Sequence, residues 1–260
     1  MKLKNRVAIV IGGGKGIGRA ISLALASEGA TVVVAGRSLP SLEEVVKDIQ
    51  NKGGRAKALQ ADVRDETQVK QLVKQTLAAC GPIDVLVNNA GIAGPTAALA
   101  DLSLPDWNEV LAVNLTGFML CAREVLASMI PRRSGSIINI GSISGMAGHP
   151  LRSPYAVSKW GIIGLTETLS IEVGQHNIRV NCVSPGAVKG ERMNKVWNAK
   201  AQALHLTYEE VMNSVVSQYS LKRIAEPTEV AAAVVFLAAD DSSGITGHTL
   251  VVNCGYHINF

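Results

Sequence analysis

Residues 6–18 read Arg6-Val7-Ala8-Ile9-Val10-Ile11-Gly12-Gly13-Gly14-Lys15-Gly16-Ile17-Gly18. The first six form a short β-branched run, as expected of a strand buried on both faces. Glycines then break the run, a helical pattern follows from Arg19 to Gly29, and a second apolar run spans Thr31 to Ala35. Strand, glycine turn, helix and strand in that order open a doubly wound parallel sheet. At such a turn glycine lets the backbone approach a pyrophosphate closely, and the helix start offers free N–H groups and a positive dipole end. The spacing Gly12-x-x-x-Gly16-Ile17-Gly18, with Gly14 inside it, matches G-x-G-x-x-G in no register. A glycine turn alone marks only a turn; its place between a strand and a helix points to a dinucleotide.

The end of the second strand bears on which dinucleotide. An acid there binds the ribose 2′-hydroxyl of NAD. Here Ala35-Gly36-Arg37-Ser38 carries none. Arg37 can hold a 2′-phosphate, Ser38 can hydrogen-bond it, and Lys15 can add a second cation. NADP(H) is therefore favoured. NAD(H) stays open, with Arg37 and Lys15 then ordinary solvated residues.

Working outward, Leu39 to Asn51 is amphipathic at helical spacing, and Arg55 to Ala61 is a strand closed by Asp62-Val63. Asp65 to Cys80 is a helix with Asp65 as N-cap and Gly81-Pro82 as its stop. Ile83 to Val87 is a strand ending in Asn88-Asn89-Ala90-Gly91. Asp106 to Met129 reads as a long helix ended by Pro131, Arg132 and Arg133. Asn114 and Gly117 inside it are locally unfavourable, which marks either a functional position or a satisfied structural Asn. Ser136 to Gly141 is a strand that delivers Ser142 at its carboxyl end. Glu226 to Asp240 is a helix and Thr249 to Asn253 a last strand. The alternation predicts one α/β domain over 1–260, a Rossmann-type parallel sheet of about seven strands with helices on both faces.

Residues 142–159 carry the chemistry. Tyr155 and Lys159 are four apart, so a helix stacks them on one face. A free phenol, with a pKa of about 10, is a poor acid or base near neutrality. A neighbouring ammonium favours the phenolate, and a tuned Tyr can pass a proton to or from a reacting oxygen. Ser142 can hydrogen-bond the same oxygen. This suits carbonyl/alcohol interconversion beside a hydride carrier, although Tyr-x-x-x-Lys by itself is a common coincidence.

Composition excludes several classes. Hydrophobic content is 47% and charged content 18%, which suits a packed globular chain. No apolar run reaches the length of a membrane span, and the N-terminus runs straight into a strand without a signal peptide's apolar region, so a cytoplasmic location is expected. Cys80, Cys121, Cys182 and Cys254 show no metal spacing, and no metal is expected. A net charge of +4, without a basic run, gives no nucleic-acid signal and slightly favours anionic ligands.

Taken together, Gly12-x-x-x-Gly16-Ile17-Gly18, Asp62-Val63, Asn88-Asn89-Ala90-Gly91, Asn114, Ser142, Tyr155-x-x-x-Lys159, Asn181 and Pro185-Gly186 resemble the short-chain dehydrogenase/reductase superfamily over essentially the whole chain, 3-oxoacyl reductases included. The resemblance implies that Tyr155 is the general acid/base, Ser142 orients the reacting oxygen, and Lys159 lowers the Tyr155 pKa and holds the ribose. It implies that Asn114 supports a water linking Lys159 to solvent, that Asp62 and Val63 hold the adenine, and that Asn89, Ala90 and Gly91 line the cofactor cleft. Val188, after Pro185 and Gly186, would meet the nicotinamide carboxamide through its backbone. It also implies a homo-oligomer, dimer or tetramer, and a substrate lid at about 190–220. Departures are Ile11 where Thr usually precedes the first glycine, Gly190 where Thr usually closes the Pro-Gly segment, and Asn253-Cys254-Gly255 where Asp-Gly-Gly is frequent.

The substrate is expected to be a small carbonyl or alcohol, with Met193 and Trp197 of the lid region, His149 and Arg152 as candidate contacts. Arg152 could clamp a carboxylate, phosphate or sulfonate. Arg132 and Arg133 could dock an acyl-carrier protein, or simply complement a helix end. An NAD-dependent sugar, polyol or hydroxy-acid dehydrogenase is the alternative enzyme. A non-catalytic dinucleotide sensor is a third reading, disfavoured because Ser142, Tyr155, Lys159 and Asn114 are all kept.

Overall fold

A computed structural model describes residues 1–256. The strands are β1 (Val7–Ile11), β2 (Thr31–Gly36), β3 (Arg55–Gln60), β4 (Val85–Asn88), β5 (Gly135–Ile140), β6 (Ile178–Pro185) and β7 (Thr249–Val252). They form one seven-stranded sheet in the order β3-β2-β1-β4-β5-β6-β7, and each pairing is parallel. The expected Rossmann-type sheet is the one observed.

Alternate residues of β1 serve opposite faces, which explains why its run is apolar throughout. Ala8 and Val10 pack with α1 (Gly16–Ser27), α2 (Leu39–Asn51) and α9 (Pro227–Ala238), through Ile21, Leu25, Leu42, Val45, Val230 and Val234. Ile9 and Ile11 pack on the other side with α3 (Glu66–Cys80), α5 (Gly117–Arg132) and α6 (Ser153–Gly174), through Val69, Leu72, Val125 and Val173. Asp65 caps α3 as expected, accepting from the Thr67 and Gln68 N–H groups.

Three boundaries differ from expectation. Helix α1 starts inside the glycine loop at Gly16 rather than at Arg19. Pro131 does not stop α5: it sits in the last turn, and Arg133, left-handed at φ 52°, closes the helix. The long middle helix is continuous from Leu104 to Arg132, but α4 (Leu104–Leu111) and α5 are joined by a π-turn over Ala112–Thr116. By length and composition that run could cross a bilayer, contrary to the reading of the sequence. Here it lies against the sheet, with Val113, Phe118, Leu120, Val125 and Met129 buried.

After β6 the chain forms α7 (Glu191–Leu204) and α8 (Tyr208–Ser217). This pair has its own small core of Trp197, Ala201, Val211, Tyr219 and Ile224. A capping box between Thr207 and Glu210 starts α8.

Candidate active site

Strand order reverses beside β1 and β4, so a crevice opens at their carboxyl ends. The segments following β1, β4, β5 and β6 meet on this rim. Gly12 takes φ +72° and Gly16 φ +52°, conformations that a side chain disfavours. The turn is fixed by Gly12 and Gly13 N–H donating to Ala35 O at 2.7 and 3.2 Å. Ser22 Oγ donates to Gly18 O at 2.9 Å, and Asn89 Nδ2 donates to Gly12 O at 3.0 Å. Asn89 and Ser22 thus brace the turn that Ile11 cannot. Ala90 touches it too: a Cβ on Gly12 would lie 2.9 Å from Ala90 Cα.

The loop fits an anionic dinucleotide. A Cβ on Gly16 would meet nothing within 4 Å, so space is open above the loop. Helix α1 has no side-chain cap and no acid in its first turn, leaving free N–H groups and an unopposed positive end. Helix α2 starts in the same way. Ser38 is its N-cap but makes no side-chain capping bond, no acid follows in the first turn, and exposed Arg37 precedes it. Arg37 also lines a cavity of about 380 Å³ with Ala61, Asp62 and Gln68. Gly14 packs on this end, since its Cβ would meet Ser41 Oγ at 2.8 Å.

Lys15 adds to Lys195 in lowering the Glu191 pKa, and Arg37 adds to Arg64 in lowering that of Asp62. Asp62 is bound to Arg64, which also reaches Glu109 at 2.7 Å. Val63 lies against the middle helix, 2.7 Å from where a Cβ on Gly117 would stand.

Tyr155 and Lys159 rise from the first turns of α6, and Ser142 follows β5. Burial pushes the Tyr155 phenol up. Lys159, then Arg192, the Ser142 hydroxyl and Arg152 outweigh that, and the net pKa lies below the usual value. Lys159 is itself buried and pulled down by desolvation; its ammonium donates to Ile140 O at 2.8 Å and lies 5.6 Å from the Tyr155 ring centre. Ser142 Oγ accepts from Ser144 N–H at 3.1 Å. The arrangement offers a proton donor whose anion is stabilised, next to a hydroxyl.

Asn114 lies in the π-turn, buried. Its Oδ1 accepts from Ile92 N–H at 2.8 Å; its Nδ2 donates to Ile92 O at 3.0 Å and to Ser158 Oγ at 3.1 Å. Ser158 Oγ in turn donates to Tyr155 O at 2.7 Å. The side chain therefore ties the loop after β4 to α6, and a water on Asn114 would use its backbone.

Val188 pairs with Ala225 in an isolated parallel bridge that uses Ala187 O and Lys189 N–H, so Val188's own N–H and C=O face the other way. Gly186 N–H donates to Val252 O at 3.0 Å. Gly190 has φ +144°, which explains why a β-branched Thr is absent there.

Of the candidate substrate contacts, Arg152 lies at the site, its guanidinium 4.7 Å over the Tyr155 ring. His149 is half-buried, with Nδ1 3.3 Å from Ala147 O, and burial lowers its pKa. Met193 packs on the small core of the helix pair. Trp197 is 5% exposed within that core, edge-on to Tyr208, and anchors the helix pair. Arg132 is paired with Asp84 Oδ1 at 3.1 Å, whereas Arg133 is exposed and donates only to Gln175 O at 2.6 Å. The residue missed from sequence is Arg192. It reaches back to Gly91 O at 2.5 Å and acts on both Tyr155 and Lys159. The anomaly at Gly190, two residues earlier, was the available signal.

Residues 12–257 match the family described as enoyl-(acyl carrier protein) reductase. The chain is 36% identical over 255 residues to the 3-oxoacyl-[acyl-carrier-protein] reductase FabG of Thermotoga maritima, covering 98% of this chain and 99% of that one. Its structure resembles NAD+-bound xylitol dehydrogenase, with TM-score 0.95 and 32% identity, covering 98% and 100% of the two chains. It also resembles a variant of actinorhodin polyketide ketoreductase with NADPH, with TM-score 0.92 and 34% identity, covering 96% of each.

Proposed function

This chain belongs to the short-chain dehydrogenase/reductase superfamily and is an oxidoreductase of CH–OH and carbonyl groups using NAD(P), and on that premise we propose an NADP(H)-dependent enzyme that interconverts a ketone or aldehyde and its alcohol, with Tyr155 as general acid/base. The observation that carries this reading is the placement of Tyr155 one helical turn before buried Lys159, whose ammonium lies 5.6 Å from the phenol ring centre, an arrangement that lowers the phenol pKa against burial.

The glycine loop and the α1 start would hold the pyrophosphate, the Asp62–Val63 end the adenine, and the Val188 backbone the carboxamide. A nicotinamide held there would supply a hydride to the carbonyl carbon in reduction, or take one from the carbinol carbon in oxidation. In reduction Tyr155 donates its phenolic proton to the carbonyl oxygen; in oxidation the phenolate takes the proton from the alcohol. Lys159 stabilises the phenolate electrostatically. Ser142 orients the oxygen by a hydrogen bond, and Asn114 positions α6 against the loop after β4. The α7–α8 pair is the proposed lid. Exposed Val157, Trp160 and Ile171 on α6 suit pairing of this helix in a homo-oligomer.

NADP(H) is supported by Arg37, by the unused Ser38 hydroxyl at the uncapped start of α2, and by the lack of an acid there. The NAD-dependent dehydrogenase reading is kept because the xylitol dehydrogenase resembled was solved with NAD+. Tyr155→Phe tests the mechanism. Turnover should fall at least about 10²-fold, the worth of a positioned acid/base, while dinucleotide binding by nicotinamide fluorescence is retained. A Phe variant with wild-type turnover would overturn it.

A further inference from the structure

We infer that Arg152 and Arg192 form a two-guanidinium clamp for an oxyanion carried on the substrate a few bonds from its reacting carbon, so that the natural substrate is a small oxo or hydroxy acid, or the corresponding phosphate, rather than a neutral ketone or a carrier-bound thioester. The inference rests on the reading of Tyr155 as the acid/base.

The two arginines come from different elements. Arg152 precedes α6 as its N-cap, without a side-chain capping bond; Arg192 is in the first turn of α7. They converge because both hang from one loop: Arg192 Nη2 donates to Gly91 O and Arg152 Nη2 to Ala93 O at 3.4 Å. Each guanidinium has a single weak or terminal anchor, which leaves most of its five donors for a ligand. Arg152 stands 4.7 Å over the Tyr155 ring, so anything it holds lies beside the phenol.

The local charge is unbalanced. Among the described residues, Arg152, Arg192 and Lys159 have no carboxylate within 4 Å, as also holds for Arg37, Arg55, Arg133 and Arg179, but here the three cations share one site. Glu191, next to Arg192, is engaged by Lys195 at 2.6 Å. The two guanidinia repel each other, and burial with that repulsion lowers the Arg152 pKa; His149 faces Arg152 and Lys200. Arg152 Nε is buried with no acceptor. A buried donor without an acceptor is costly unless a ligand completes it, and Arg192, exposed to solvent beside it, adds positive charge that an anion would meet on entering. Planar carboxylate and phosphate oxygens match the guanidinium fork. A carrier-bound 3-oxoacyl thioester offers these donors a neutral carbonyl oxygen, which leaves the two positive charges uncompensated.

The test compares probes that differ in charge, assayed with both NADPH and NADH. They are 3-oxobutanoate against its methyl ester, and dihydroxyacetone phosphate against dihydroxyacetone. An acid-to-neutral kcat/KM ratio of about tenfold or more is expected for one pair, which also tells carboxylate from phosphate. In R152Q and R192Q that ratio should collapse toward one, through KM of the acid. Independently of turnover, butanoate should bind the enzyme–NADPH complex more tightly than butanamide, and both variants should erase the difference. Equal handling of acid and neutral probes, in turnover and in binding, overturns the clamp. So does an effect of the variants confined to dinucleotide affinity, which would give Arg192 to the cofactor. Loss of the Tyr155 reading is separate: the Tyr155→Phe turnover reports it, and the butanoate comparison is unaffected.

Discussion

Gly16 and Gly18 lie in one turn and should fail for different reasons when replaced by Ala. A methyl on Gly18 would stand 2.0 Å from Gly12 O and 2.5 Å from Asn89 Nδ2. These are the two ends of the 3.0 Å bond that braces the loop. The bond must break and the Gly12 peptide must move. A lost buried bond with an orphaned partner costs about 1–3 kcal/mol, and overpacking a further ~1–3 kcal/mol. Alanine recovers ~1 kcal/mol of helix propensity. The net loss is then about 1–5 kcal/mol, centred on ~3 kcal/mol, a large share of the ~5–15 kcal/mol that holds a domain folded. A methyl on Gly16 meets nothing within 4 Å, so its cost is the left-handed backbone alone, ~1–2 kcal/mol. Denaturant titration followed by circular dichroism measures both losses, and nicotinamide fluorescence measures binding. Gly18→Ala should be the less stable variant and should lose NADPH binding. A Gly18→Ala protein with wild-type stability and affinity would refute the claim that this turn has no slack.

Removing Lys159 takes away the largest charge opposing burial of Tyr155, so in Lys159→Ala the phenol pKa should rise. Alcohol oxidation needs the phenolate, so its rate climbs with pH, and that climb should move to higher pH in the variant; an unmoved pH–kcat limb would deny Lys159 this role. Gly190→Thr restores the family's usual residue at φ +144°, where a β-branched side chain is strained by about 1–3 kcal/mol, so its melting temperature should fall rather than rise. Arg37→Ala should weaken NADPH binding about tenfold or more and leave NADH binding almost unchanged, as losing one guanidinium–phosphate contact demands. Equal losses for the two dinucleotides would make Arg37 a surface residue.

The sheet was legible because its central strands are buried on both faces: residues 7–11 and 32–35 leave no polar position to misread. Tyr155 and Lys159 were legible because their relation is local, one helical turn. What needed the structure was tertiary. Arg192 adds its charge to the surroundings of Tyr155 only because α7 folds back over the loop after β4, where Arg192 Nη2 donates to Gly91 O. Trp197 shares its helical spacing with residues that could face either way, and only the presence of Tyr208 and Val211 decides that it faces inward. Pro131 was read as a stop, but in a final turn the missing N–H and the ring clash affect only one bond, and the helix continues to Arg132.

The π-turn at Ala112–Thr116 amounts to one surplus residue in an otherwise regular helix, and each α-helical residue turns the axis by about 100°. Residues bonded i to i+5 turn less each, so the five of this π-turn cover about the rotation of four α-helical residues. Excising one residue there would restore an unbroken α-helix and leave the flanking turns, with Phe118 among them, close to their present phase. What would go is the local swelling from which the Asn114 amide meets Ile92 and Ser158. The surplus residue is thus a way to re-aim one side chain without turning the rest of the helix, and a shortened chain that melted higher would show the stability given up to keep it.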